Sequence, residues 1–367
     1  MVFFKPLFRR RPKPSRLAAL LLAALLVGCF PPRVPSVVKV GLVAPFEGRH
    51  RAVGYDAVYA ARLAIREIDG AGGIGDWRLE LVAYDDRGDP ELAARIAENL
   101  VIDPDVLIVI GHYRPETIAA AAPIYAAAEL SFIVLGGWGP PAPSTWNLMP
   151  PPETLAWAMM TAGAEACPDA ESLALWDGGP AAETLAAELD SALSSADYDD
   201  EVDIVLSLLP PVASAERLVD WRAAGWRGEI VGAWDLAHPG FEAVAGQAGL
   251  GSYFVTPYPF PQDLEGIGPW IAAYEDLGPH VPTPGPYALP TYDAVYLVAE
   301  AVVAAVQEGV VPDRAVMVSE LGQVHRSGVL GVILWDEHHH WERPPLYAYR
   351  WTATGPECLA CDADGAP

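Results

Sequence analysis

Val38-Lys-Val-Gly-Leu-Val43, a helical run from Tyr55 to Ile68 and Leu79-Glu-Leu-Val-Ala-Tyr84 decide the fold class. The first is a short apolar run, suited to a strand buried on both faces. Pro45-Phe-Glu-Gly-Arg-His-Arg-Ala-Val-Gly54 reads as a loop. Val58, Ala61, Leu63, Ala64, Ile65 and Ile68 then recur at helical spacing. Asp69-Gly-Ala-Gly72-Gly73 ends that helix, because glycine terminates helices and tolerates the turns beyond them.

The same alternation continues outward. Asp85-Asp86-Arg87-Gly88-Asp89-Pro90 is a turn whose proline suits the first position of a helix running to about Ile102. Strand Val106–Ile110 follows, then a helix opened by Gly111–Thr117, then strand Phe132–Leu135 ending at Gly136-Gly137-Trp138. Strict β-α alternation implies a parallel sheet with helices on both faces. The proline-rich 139–152 marks a boundary. A second alternating series runs through helix 153–166, strand 172–176, helix 180–194, strand 202–208, helix 213–224, strand 229–232, helix 240–247 and strand 253–256. A proline-rich stretch, 257–290, precedes a long apolar helix at 291–308 and a shorter one at 313–321. Strands 329–335 and 346–350 read as a closing hairpin. No tandem repeat is visible. At 367 residues the chain has room for two such α/β lobes.

The charge balance narrows function. Lys+Arg number 23 against 48 Asp+Glu, a formal net charge of −25. Six of the cations, Lys5, Arg9, Arg10, Arg11, Lys13 and Arg16, lie in the first 28 residues, which hold no acid. The remaining 339 residues carry 17 bases against 48 acids, a net of −31. Nucleic-acid binding is excluded as a reading, since phosphate contacts need clustered cations.

Those early cations precede eleven apolar residues, Leu17 to Val27. A spanning helix needs about 20, whereas eleven fits the core of a secretory signal. The run ends at Leu26-Val27-Gly28-Cys29, which resembles the lipobox of bacterial lipoproteins. That resemblance implies a signal peptide at 1–28, acylation of Cys29, a tether at 29–36 and a body held at the outer face of the cell membrane. Cys167 stands alone. Cys358 and Cys361 form a C-x-x-C, read as a local disulfide or free thiols. His338-His339-His340 beside Asp336 and Glu337 could bind metal weakly. Consecutive side chains on a strand alternate in direction and do not converge on one ion, so no metal site is assigned and a metal-dependent hydrolase stands only as an alternative reading. No Gly-x-Gly-x-x-Gly follows the first strand, where the loop reads Ala44-Pro45-Phe46-Glu47-Gly48, and a P-loop signature is absent, so no cofactor is expected.

Several further motifs complete a pattern: Ala64-Ile-Arg-Glu-Ile-Asp69-Gly-Ala-Gly72-Gly73-Ile74, Tyr84-Asp85-Asp86, Asp89-Pro90-Glu-Leu-Ala-Ala94, Ile110-Gly111-His112, Arg222-Ala-Ala-Gly225, Tyr292-Asp293-Ala294-Val295 and Trp335-Asp336-Glu337. Together they resemble the substrate-binding lipoproteins of ABC transporters in the branched-chain amino-acid class, with the type I periplasmic-binding fold. The resemblance implies two discontinuous lobes, 37–140 with 258–328 and 141–257 with 329–352, followed by a tail at 353–367. It implies a monomeric, non-enzymatic protein whose lobes hinge shut over a small solute and present it to permease and ATPase subunits. A sensor without transport is an alternative, as is the metal-dependent hydrolase.

Ligands of open α/β sheets bind beyond the carboxyl ends of strands. Candidate ligand contacts are therefore Tyr113, Arg114, Glu116 and Thr117 after one strand, and Gly136, Gly137 and Trp138 after another. Asp235 joins them from the second lobe and Tyr287 from the hinge side. Arg114 could bind a carboxylate where the family usually offers a hydroxyl, while Pro115 removes a backbone donor. Arg114 and Glu116 are equally readable as a solvated pair. Trp138 could stack on a flat ligand or pack on the neighbouring prolines. The resemblance places Asp235 where relatives meet a ligand ammonium. Trp176-Asp177-Gly178 also ends a strand in the second lobe. The few residues between 194 and 202 imply a trimmed second lobe. The ligand expected is amino-acid-like or a small amide.

Overall fold

A computed structural model describes residues 35–176, 185–189 and 202–360. The signal sequence, Cys29, Asp177, Gly178, the stretch 190–201 and Cys361 lie outside the described residues.

The first lobe is built as the sequence dictates. β1 (Ser36–Ala44) is sealed from solvent from Val40 to Ala44. It is flanked by β2 (Trp77–Asp85) and β3 (Val106–Gly111), and the sheet continues through β4 (Ser131–Val134) to β5 (Thr145–Asn147) in the order β2-β1-β3-β4-β5. The β1–β3, β3–β4 and β4–β5 pairings are parallel. α1 (Arg51–Gly70) buries Val53, Ala57, Ala60, Ala61 and Ala64, so its apolar stripe faces the core. α2 (Pro90–Ile102) carries proline in its first turn and is capped by Asp89, whose side chain accepts the N–H of Leu92 at 2.8 Å. α3 (Pro115–Ala127) starts directly after β3.

α4 (Pro152–Ala166) packs on the second sheet, against β7 (Ile204–Ser207), β8 (Glu229–Gly232) and β9 (Tyr253–Thr256). β6 (Leu173–Trp176), β7, β8 and β9 are parallel neighbours. α5 (Pro211–Ala224) links β7 to β8. α6 (Pro239–Ala245) follows a short turn of helix at Trp234–Ala237. The chain then returns to the first lobe through α7 (Gly268–Glu275), α8 (Ala288–Gln307) and α9 (Arg314–Leu321). α8 packs on α1 and β3, and α9 on β3 and β4. α8 is long and apolar enough to cross a membrane by composition, but it is mostly buried in this lobe as a core helix.

Two expectations are corrected. Strands 329–335 and 346–350 do not pair with each other. β10 (Arg326–Gly328) pairs antiparallel with β11 (Gly331–Ile333), and β12 (Tyr347–Thr352) pairs antiparallel with β9 and β13 (Gly355–Ala360). The segment from 353 to 360 is therefore not a tail: it turns at Gly355 and supplies the edge strand of the order β13-β12-β9-β8-β7-β6. The cause is local. Tyr347, Tyr349 and Trp351 alternate on one face of β12 and bury against Phe254, Phe241 and Phe260, which fixes the strand beside β9. In the proline-rich boundary, Thr145-Trp146-Asn147 still form a strand because β4 offers an open edge. Cys358, on β13, is disulfide-bonded, and Cys167 is free.

Candidate functional site

The carboxyl ends of β1 to β4 face the carboxyl ends of β7 and β8, and the loops between them make the cleft. Its floor requires glycine. A Cβ on Gly136 would lie 2.1 Å from the carbonyl of Tyr113, so the loops after β3 and β4 touch backbone to backbone. Gly137, at φ +149°, turns the chain toward Trp138 against Pro115 and Ile118.

The candidates after β3 divide. Tyr113 is buried; its hydroxyl bonds Thr291 Oγ1 at 2.7 Å and its ring meets Tyr287 edge to face. The Thr117 hydroxyl donates to the Arg114 carbonyl at 2.9 Å, so it serves the helix start. Arg114 and Glu116 remain in the cleft. One guanidinium nitrogen lies 3.3 Å from Glu116 Oε1, and another lies 3.5 Å from His50 Nδ1. The second carboxylate oxygen of Glu116 is buried without a partner.

Trp138 does not face an open pocket. Its indole N–H donates to the Pro150 carbonyl at 2.8 Å, and its ring meets Trp234 of the other lobe edge to face at 5.3 Å. Beside Trp234 stands Asp235. Burial pushes its carboxyl up to about 6, against a downward pull from Arg114 and helped by Glu116. The cavity that Trp234 and Asp235 line with Ser207 and Leu209 measures about 20 Å³, space for roughly one water. Trp176 is buried in the second lobe's own core, with the Arg217 guanidinium over its ring.

Sequence reading missed a polar contact across the cleft. The Nδ1 of His238, at the start of α6, accepts the N–H of Gly240 at 2.8 Å. That bond puts the proton of a neutral His238 on Nε2, which donates to His50 Nδ1 across the lobes at 3.3 Å. Burial pushes His50 down to about 3 and His238 to about 4, with Arg114 adding to both. The two residues are 188 positions apart, and the sequence carries no signal that joins them.

Two larger spaces flank this bridge. One, about 420 Å³, opens between Arg49, His50, Arg114 and Glu116 on one side and Pro210–Ala213 with Glu216 on the other. The other, about 340 Å³, lies between Tyr55, Asp56 and Tyr287 of the first lobe and His238, Pro239 and Phe260. Tyr287 is the one sequence-read candidate on its wall. Tyr292 turns away and bonds Glu67 of α1. Among the described residues no cluster of metal-ligating side chains forms. His339 stacks on Trp146 at 3.9 Å and His340 lies 3.4 Å from Asp336.

The family model described as "Periplasmic binding protein" matches residues 37–176 and 181–356. A Leu/Ile/Val-binding protein of Escherichia coli K12 is 32% identical over 107 residues, 28% of this chain and 29% of the relative. An amino acid binding protein of Pseudomonas aeruginosa is 29% identical over 103 residues, 28% of each chain. The matched segment thus spans under a third of these curated relatives. Among solved structures, a leucine binding protein from Thermotoga maritima superposes with a TM-score of 0.73 at 18% identity, over 88% of this chain and 98% of that one. A solute binding protein of R. palustris in complex with benzoate gives 0.68 at 18% identity, over 89% and 96%.

Proposed function

This chain belongs to the periplasmic-binding-protein family, whose members are binding proteins rather than enzymes and work outside the cytoplasm, and on that premise we propose that it captures a small organic solute between its lobes and hands it to an ABC permease driven by ATPase subunits. The solute is amino-acid-like or a small amide. The body is leashed to the outer face of the cell membrane by acyl chains on Cys29. The lobes follow the two sheets, β1 to β5 with α7, α8, α9, β10 and β11 in the first and β6 to β9 with α4, α5, α6, β12 and β13 in the second, so the passages fall after Asn147, after Thr256 and between Ile333 and Tyr347 rather than at 140, 257 and 328.

One observation supports this reading above the others. Side chains of opposite lobes meet inside the cleft at His50–His238 and Trp138–Trp234, while cavities large enough for a solute remain beside them. A cleft closed by a few polar and aromatic contacts can exchange them for ligand contacts. The resemblance to branched-chain amino-acid binders supports the amino-acid class. Arg114 in place of the usual hydroxyl supports a ligand with a carboxylate or amide oxygen, held by a charge-assisted hydrogen bond.

A thermal-shift panel of amino acids, ureas, amides and aromatic acids tests the ligand class. At least one compound stabilises the protein and shrinks its radius of gyration in small-angle scattering. A panel in which only sugars shift the melt overturns the class. Incorporation of an alkyne-labelled fatty acid, lost in Cys29→Ala, tests the anchor.

A further inference from the structure

The cavity beside Asp56 carries chemistry that the proposed capture function does not yet specify. Asp56 sits in the first turns of α1, 6% exposed. Its Oδ1 accepts the N–H of Gly285 at 3.0 Å. A Cβ on Gly285 would lie 2.4 Å from Oδ2, so glycine there lets the loop before α8 lie directly on the carboxylate. Among the described residues no Lys or Arg forms an ion pair with Asp56. Arg51, also on the cavity wall, is exposed at the rim. Burial pushes the Asp56 carboxyl up to about 7, with backbone N–H groups of Gly285 and Tyr287 easing it only in part. A buried carboxylate without a counter-charge is costly and draws in either a proton or a cation.

The rest of the wall suits an organic cation. Tyr55, Phe260 and Tyr287 supply rings, and Pro239 and Pro286 supply apolar surface. Rings attract a cation over their faces, by about 0.5–2 kcal/mol each depending on desolvation. The space of about 340 Å³ admits a ligand of several heavy atoms. The net charge of −25 for the whole chain raises the local concentration of cations.

Resting on the solute-capture reading, we propose that this cavity selects a small organic ammonium, its charged nitrogen on Asp56 and its hydrocarbon frame against the rings of Tyr55, Phe260 and Tyr287. Binding displaces the proton that Asp56 otherwise holds near neutrality, and that proton leaves to solvent.

Matched probes on one frame test it: isoamylammonium, isoamyl alcohol and isovalerate, with phenethylammonium, phenethyl alcohol and phenylpropionate as a second set, leucine and isobutyramide alongside. Calorimetry at pH 7 on the full soluble body is expected to show binding by the ammonium of at least one set, at least tenfold tighter than its alcohol or acid. Its enthalpy should depend on the buffer's ionisation heat, as proton release requires. Asp56→Asn should weaken that ammonium at least tenfold. Should Asp56→Asn fold poorly, Phe260→Ala is expected to weaken the ammonium severalfold, and an unchanged ammonium affinity in that variant overturns the assignment. Equal binding of alcohol or acid, or an ammonium affinity untouched by Asp56→Asn, overturns the assignment. Binding of leucine or isobutyramide with both ammonium probes silent overturns it while leaving solute capture standing. Silence of every probe counts against both.

Discussion

The two corners of the cleft are made from the same kinds of residue and end differently. At Trp138, Trp234 and Asp235 the protein fills its own pocket, leaving about 20 Å³. At Asp56, Tyr287 and Phe260 it leaves about 340 Å³. Both hold a partly or wholly buried carboxyl beside aromatic rings. The difference lies in what the backbone does with them. The Pro150 carbonyl holds the Trp138 indole, and the ring packs edge to face on Trp234. Gly285 draws its loop onto Asp56 and leaves the rings on the walls. Selectivity in this scaffold can thus shift by filling one corner and vacating another, with the sheets unchanged.

The sealed corner breaks most severely at its floor. Gly136→Val places a branched side chain where even a Cβ meets the Tyr113 carbonyl. A loss of about 3 kcal/mol or more is expected in urea unfolding. A loss below about 1 kcal/mol would show that the loops after β3 and β4 can part freely.

The next effect belongs to the bridge between the corners. His50 and His238 lie at about 3 and about 4 while the lobes touch, and would return toward an ordinary value near 6.5 once water reaches them. The facing charged groups are Arg114 and Arg49, with Glu116 held by Arg114. Because closure depresses both values, the neutral pair favours the closed form fully above about pH 6.5. That advantage falls as pH drops toward 4, roughly tenfold per unit for each ring. Ligand affinity measured at pH 7.5 and 5.5 should therefore fall by up to about a hundredfold. The His50→Gln, His238→Asn double variant should flatten the profile; an unchanged slope in that variant would assign the pH dependence elsewhere.

Smaller changes sharpen the contrast. Trp138→Ala removes the indole that packs on Trp234, and calorimetry with leucine should then detect affinity altered at least tenfold, about 1.4 kcal/mol. Equal leucine binding before and after would make Trp138 scaffold only. Glu116→Gln, which removes the charge beside the buried Arg114 from a partly exposed partner, should lower stability by about 1 kcal/mol, between an exposed pair and a buried one. A larger loss of ligand affinity in that variant would bring Glu116 into the binding contacts.

The architecture was legible where local signals agree. The apolar run of β1, the Asp89-Pro90 helix start and the glycines after α1 each specify their element without help from distant residues. β5 and β13 were not, because short strands beside proline or at a chain end form only when a neighbouring edge accepts them. α1 begins at Arg51 rather than Tyr55, since its first turn is polar on one side. In the cleft, Arg114 and Tyr287 were legible from their places after a strand and before a helix. Asp56 was hidden because a polar residue on an amphipathic helix reads as solvent-facing. His50 was hidden inside a stretch read as loop, and His238 in the turn that opens α6.

The three passages between the lobes are tied to one another. Asn147 N–H donates to the His339 carbonyl at 2.7 Å, Trp341 N–H donates to the Asn147 and Met149 carbonyls at 3.0 and 3.1 Å, and the Tyr258 hydroxyl donates to the Leu148 carbonyl. Three separate ribbons could twist or splay independently; laced together they resist being parted, so any movement of one lobe on the other has to carry all three ribbons at once.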